Sequence, residues 1–212
     1  MKKAREYRYI AHSTCDYNIG TLALIYFLMS LLTSLVGSFG YGVAAIVVAG
    51  PLTMGFFISI VRNYHYQKVE VANLFDGFKN FVNNMVLGLL QAVYILLWTL
   101  LLFIPGIVKS YAYSMAYFVS LDNPELNADQ CITKSKELMN GYKWKLFCLD
   151  LSYIGWMILC VLTLGILTFW VNPRMYTARY AFYCDLVGKP QNPTLVEEAP
   201  AEEAVEAEVV EE

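Results

Sequence analysis

A chain of 212 residues that is 58% hydrophobic and only 16% charged departs from soluble domains, in which about a quarter of residues are charged. The net charge of −3 divides unevenly: residues 188–212 hold eight Glu and one Lys, while residues 1–187 hold 14 basic and 10 acidic groups. The basic excess belongs to the body of the chain, and the composition excludes a small soluble domain with a single core.

The first apolar run begins near Ile19 behind a polar segment, and Thr21–Gly37 carries no charge. No A-x-A cleavage site follows, so the run is expected to stay as a membrane helix. Gly42–Val61 and Met85–Ile104 are likewise free of Asp, Glu, Lys and Arg. About 20 apolar residues suffice to cross the ~30 Å hydrocarbon layer as a helix. The pattern predicts an all-α, polytopic transmembrane helical bundle of about six spans: Gly20–Ser38, Tyr41–Val61, Met85–Ile104, Ile107–Leu121, Leu146–Leu164 and Ile166–Leu186. The fourth is short, since 15 residues rise only ~22 Å. It either thins the bilayer locally or forms half of a re-entrant hairpin with Met85–Ile104.

Two polar connectors are expected to be amphipathic helices on the cytoplasmic side. In one, Val71, Leu74, Phe75, Phe78 and Val82 form a stripe. In the other, Asn123-Pro124 reads as a helix start. Ala128, Ile132, Ser135 and Met139 then share a face, and Asn140-Gly141 ends the helix. Such helices lie in the headgroup layer, dock beneath the bundle, or stand solvated. Residues 1–187 thus form one integral membrane helical domain. The acidic segment 188–212, rich in Pro, Ala and Glu, is expected to be a disordered cytoplasmic tail.

Orientation follows the basic residues. Lys2, Lys3, Arg5, Arg8, Arg62, Lys68, Lys79, Lys134, Lys136, Lys143, Lys145 and Lys189 fall on one side. The opposite turns, Ser38–Gly40, Pro105–Gly106 and Gly165, carry none, with Lys109 and Arg174 close inside them as the dissent. A multi-pass protein of the cell membrane with cytoplasmic N- and C-termini is the expected topology. Pro51, Pro105 and Pro173 each fall early in a returning span and are followed by aromatics. The recurrence suggests three related helical hairpins, with Pro51, Pro105, Gly106 and Pro173 as kink or turn positions.

Between residues 104 and 156 a specific succession appears. Ile104-Pro105-Gly106, Tyr113-Ser114-Met115-Ala116 and Asp122-Asn123-Pro124-Glu125-Leu126 come in order. Gly141-Tyr142-Lys143-Trp144 and Leu149-Asp150-Leu151-Ser152-Tyr153-Ile154-Gly155-Trp156 follow. The succession, with Gly50-Pro51-Leu52 and Leu74-Phe75-Asp76-Gly77-Phe78, resembles a bacterial family of integral membrane proteins, the domain of unknown function nine-seven-five. The resemblance extends over roughly residues 20–187. It implies a membrane fold and location but brings no catalytic or binding residues.

Five formal charges fall inside the expected spans: Lys109, Asp150, Arg174, Arg179 and Asp185. Charges in the membrane are costly and are functional candidates by default. Lys109 and Arg174 are expected to snorkel to the opposite face, and Asp185 marks the inner rim. Arg179 lies about 10 Å from the cytoplasmic end and Asp150 ~6 Å in from the same side. They are the candidate intramembrane charge pair. His12 and His65 lack a ligand set, and Cys15, Cys131, Cys148, Cys160 and Cys184 have no C-x-x-C or metal-like spacing. Reduced thiols are expected, without metal or cofactor. Trp98, Trp144, Trp156 and Trp170 read as interfacial anchors, and Gly37, Gly40, Gly42, Gly88 and Gly155 as sites of close helix packing. No G-x-S-x-G, H-E-x-x-H or P-loop is present.

The expected function is that of a non-enzymatic membrane module acting through partners in the cell envelope. The alternative is a small transporter or channel subunit with a site near Arg179 and Asp150. The expected partners are the lipid bilayer, a further copy of the chain or another membrane protein, and no nucleic acid.

Overall fold

The computed structural model describes residues 2–39, 43–66, 68–101 and 103–189. Among them are ten α-helices, one 3₁₀ helix and no strand. In chain order the α-helices are α1 (Ala4–Asp16), α2 (Ile19–Phe39), α3 (Val43–Tyr66), α4 (Phe81–Leu101) and α5 (Phe103–Tyr113). They continue with α6 (Ala116–Asp122), α7 (Ala128–Leu138), α8 (Lys143–Leu151), α9 (Ile154–Leu162) and α10 (Thr168–Val187). The 3₁₀ helix Val71–Phe78 lies between α3 and α4. The expected tail from residue 190 onward lies outside the described residues. Gly188, at φ 73°, closes α10 in the left-handed conformation, which glycine adopts at no steric cost.

By length and composition, two described helices can cross a membrane: Ile19–Ser38 and Phe81–Leu101. The pair Lys143–Leu151 and Ile154–Leu162, bent by 44°, makes a third if it is one span. The expected crossing Ile107–Leu121 is broken: α5 ends at Tyr113 and α6 begins at Ala116. Ser114 donates to the Tyr111 carbonyl at this break (2.8 Å), a local bond that competes with the helix ladder. The expected turn at Pro105–Gly106 is also displaced. α4 ends at Leu101 and α5 starts at Phe103, placing Pro105 in the first helical turn, where its missing N–H costs nothing. Gly106 instead lies against the backbone of Thr99, which lets α4 and α5 approach closely. Pro51 and Pro173 sit inside α3 and α10.

Two successive helix pairs, α2–α3 and α4–α5, run antiparallel. In the α2–α3 pair, Asn18 donates to Asn63 (2.9 Å) and Tyr26 meets Phe56 (5.4 Å). In the α4–α5 pair, Gln91 donates to the Tyr113 carbonyl (3.3 Å) and Gly106 meets Thr99. The 3₁₀ helix lies deep against α3. A Cβ at Gly55 would overlap the Leu74 carbonyl, and one at Gly77 would overlap that of Pro51. Leu74 is fully buried there, whereas Phe75 and Val82 of the expected stripe are exposed.

α10 is the axis of the bundle. Val171, Pro173, Met175, Thr177, Ala178 and Tyr180–Cys184 are buried on it, covering the helix on nearly every side with α1, α2 and α3. α1 runs antiparallel along its second half. Cys15 touches Thr177 (3.2 Å), Tyr7 packs on Phe182, and the Tyr7 hydroxyl donates to Asp185 (2.6 Å). Away from this axis, large apolar side chains stay exposed: Leu96, Leu97, Leu100 and Leu101 on α4, and Ile158, Val161 and Leu162 on α9. Burying such side chains is worth roughly 1.5–3 kcal/mol each, and a surface of this kind is consistent with an apolar solvent.

The connector α7 has the expected buried face: Ala128, Ile132, Ser135 and Met139. Ser135 donates to the Ala112 carbonyl (2.9 Å), so the helix docks on the bundle. Its start differs from expectation. Asn127, not Asn123, is the N-cap, in a reciprocal capping box with Gln130. Asn123 caps α6 and accepts from Lys134 instead (2.9 Å).

Candidate site: a cleft beside a shielded ion pair

α8 and α10 present Asp150 and Arg179 to one another. Arg179 Nε donates to Asp150 Oδ1 (3.1 Å) and Nη2 to Oδ2 (2.6 Å), a two-pronged bridge of the strong, planar kind. The side chains are 21% and 14% exposed. Tyr111 lies beside the same carboxylate, and the Tyr176 ring lies 5.4 Å from the guanidinium carbon. Arg8 donates to the Ser152 carbonyl at the end of α8 (2.9 Å), occupying an acceptor that the break before α9 leaves unpaired.

The other intramembrane candidates separate. Lys109 lies over the Trp98 ring (4.5 Å). Arg174 does not turn toward the opposite face as expected. Its Nη2 binds Asp16 Oδ1 at the α1–α2 junction (2.9 Å), because α10 passes beside α1 rather than beyond it. Asp16 also pairs with His12 Nδ1 (2.8 Å), a carboxylate partner that sequence reading missed. Asp185 accepts from the Lys2 backbone amide (3.1 Å) and from Tyr7. Burial and the Asp185 carboxylate push the Tyr7 phenol upward.

Beside the ion pair, a cleft of about 380 Å³ opens between α3, α4, α5, α6 and α10. Thr53 and Phe57 line it from α3, Gln91 and Ile95 from α4, Ile107, Ser110, Tyr111 and Ser114 from α5 and the turn after it, Tyr117 from α6, and Tyr176 and Arg179 from α10. Its size lies within the range of small-molecule sites. Gln91, Ser110 and Ser114 were not singled out from sequence. The available signal was an amide in the middle of an uncharged run, opposite two serines at helical i, i+4 spacing.

At the far end of α10, Asp122 accepts from Tyr183 and from Lys189 Nζ (2.6 Å each). His65 Nε2 meets the Tyr180 hydroxyl (2.8 Å). Burial, then Lys189, lowers the His65 pKa against a smaller opposing effect of Asp122. All five cysteines are free thiols, and burial pushes Cys15 up to about 11. Among the described residues no group of three or more His, Cys, Asp or Glu is placed to hold a metal.

No curated protein and no solved structure matches the chain. Residues 100–189, from the end of α4 through α10, match a family model described as a protein of unknown function (DUF975), the uncharacterised family that the residue succession resembles.

Proposed function

We propose that this chain is a non-enzymatic multi-pass module of the cell membrane, about six crossings in three hairpins, acting through partners in the envelope. The observation that carries this reading is the contrast between a helix buried on nearly every side, α10, and the exposed apolar side chains of α4 and α9. The charged groups nearest the cleft, Arg179 and Asp150, are joined to each other, which suits a structural role rather than acid–base turnover. Cytoplasmic termini are supported by the basic connectors.

Reporter fusions at Ser38, Asn127 and Gly188 test this topology. The expected signals are outside, inside and inside; an outside signal at Asn127 would overturn the six-crossing arrangement. A second reading, a small transporter or channel subunit, is favoured by the cleft at Arg179. Proteoliposomes of the intact chain decide between them: solute-specific flux supports the transporter, and its absence with the fusion signals as expected supports the module.

A further inference from the structure

The cleft holds both kinds of hydrogen-bonding group: Thr53, Tyr117 and Tyr176, each with a hydroxyl, line it together with Arg179, and three acceptor oxygens face them. Gln91 Nε2 is committed to the Tyr113 carbonyl, while Gln91 Oε1 is buried without a hydrogen-bond partner among the described residues. The amide cannot be reversed profitably, because its oxygen would then face a carbonyl oxygen. Ser110 donates its proton to the Ile107 carbonyl and Ser114 to that of Tyr111 (2.8 Å each). With their protons on these carbonyls, both hydroxyl oxygens present lone pairs to a ligand. On the opposite wall, Arg179 is a donor whose charge Asp150 already compensates. A phosphate or carboxylate, which has no proton to give, would leave the three acceptor oxygens without a donor and would meet an arginine whose charge is already paired. An ammonium would meet the guanidinium. A hydroxyl group suits both walls, since it donates to the acceptors and accepts from Arg179.

The remaining lining fits the same chemistry. Phe57, Tyr111, Tyr117 and Tyr176 supply aromatic faces, with Phe57 and Tyr117 stacked at 5.0 Å. Such faces pack against the C–H surface of a ring polyol. Ile95 and the exposed Ile107 form an aliphatic edge that continues onto the apolar surface of α4 and α5. We propose that the cleft binds the uncharged, hydroxyl-rich head of an amphiphile, a sugar- or glycerol-headed lipid, drawn from the bilayer past Ile95 and Ile107. This rests on the membrane reading above but not on its module or transporter form.

The test uses the full chain in phosphatidylcholine nanodiscs with chain-spin-labelled lipids: a glucosyl diacylglycerol, phosphatidylcholine and phosphatidic acid. The glucosyl lipid should associate at least about fivefold more strongly than phosphatidylcholine, the worth of roughly one hydrogen bond. Gln91→Leu should abolish that preference at a stability cost no larger than that of the one hydrogen bond to the Tyr113 carbonyl that it removes. Ser114→Ala, a smaller change, should weaken the preference without unfolding. Equal association of all three lipids overturns the proposal, and so does a preference for phosphatidic acid. Displacement of the glucosyl lipid by free glucose would retain a polyol site but overturn the bilayer as its source. If the reporter fusions behave as expected and no lipid is preferred, this proposal alone falls.

Discussion

Arg179 and Asp150 form a two-pronged bridge largely shielded from water. Removing one partner of such a pair leaves an uncompensated charge, which costs about 3 kcal/mol or more. Arg179→Leu and Asp150→Leu should each lower stability in detergent by about that amount, and the double variant should recover part of the loss. Simple additivity in the thermal or denaturant melts would contradict direct coupling. The approach of these two residues was legible in the sequence, because helix rise places them at similar depth on consecutive segments. The partner of Arg174 was not. Depth along α10 was reckoned from the turn at Gly165, whereas Asp16 reaches Arg174 only because α1 folds back along α10. Pairing across 158 residues has no local signature.

Helix-scale patterns were read with uneven success, and the differences have physical causes. The stripe on α7 follows the 3.6-residue period and is buried as read. Its start was placed at Asn123 because Asn-Pro resembles a cap and first turn, yet Asn127 with Gln130 offers a reciprocal box. The stripe at Val71–Val82 failed as one α-helical face because Val71–Phe78 is 3₁₀, with three residues per turn rather than 3.6, and Val82 belongs to α4. That segment depends on glycines. Gly55→Ala would drive a methyl group into the Leu74 backbone, and overpacking of this kind costs typically 1–3 kcal/mol. Gly155→Ala on α9, where nothing lies within 4 Å of the added atom, should stay within about 0.5 kcal/mol of the parent. Melting temperatures of the two variants check this. Equal effects would mean that the 3₁₀ helix does not rest on α3.

The molecule as a whole combines a buried axis, α10, with peripheral helices whose apolar side chains face outward. The membrane class was plain in the uncharged runs. The cleft was not, because its lining comes from α3, α4, α5, α6 and α10 and its pattern of donors and acceptors depends on which side-chain protons the backbone has taken. The most direct measurement of the membrane claim uses Trp156, 43% exposed on α9. In nanodiscs, a variant with Trp98, Trp144 and Trp170 replaced by Phe reports from this tryptophan alone. Its fluorescence should be quenched strongly by brominated acyl chains and little by aqueous iodide. Strong quenching by iodide with none by brominated lipid would place α9 in water and contradict the account.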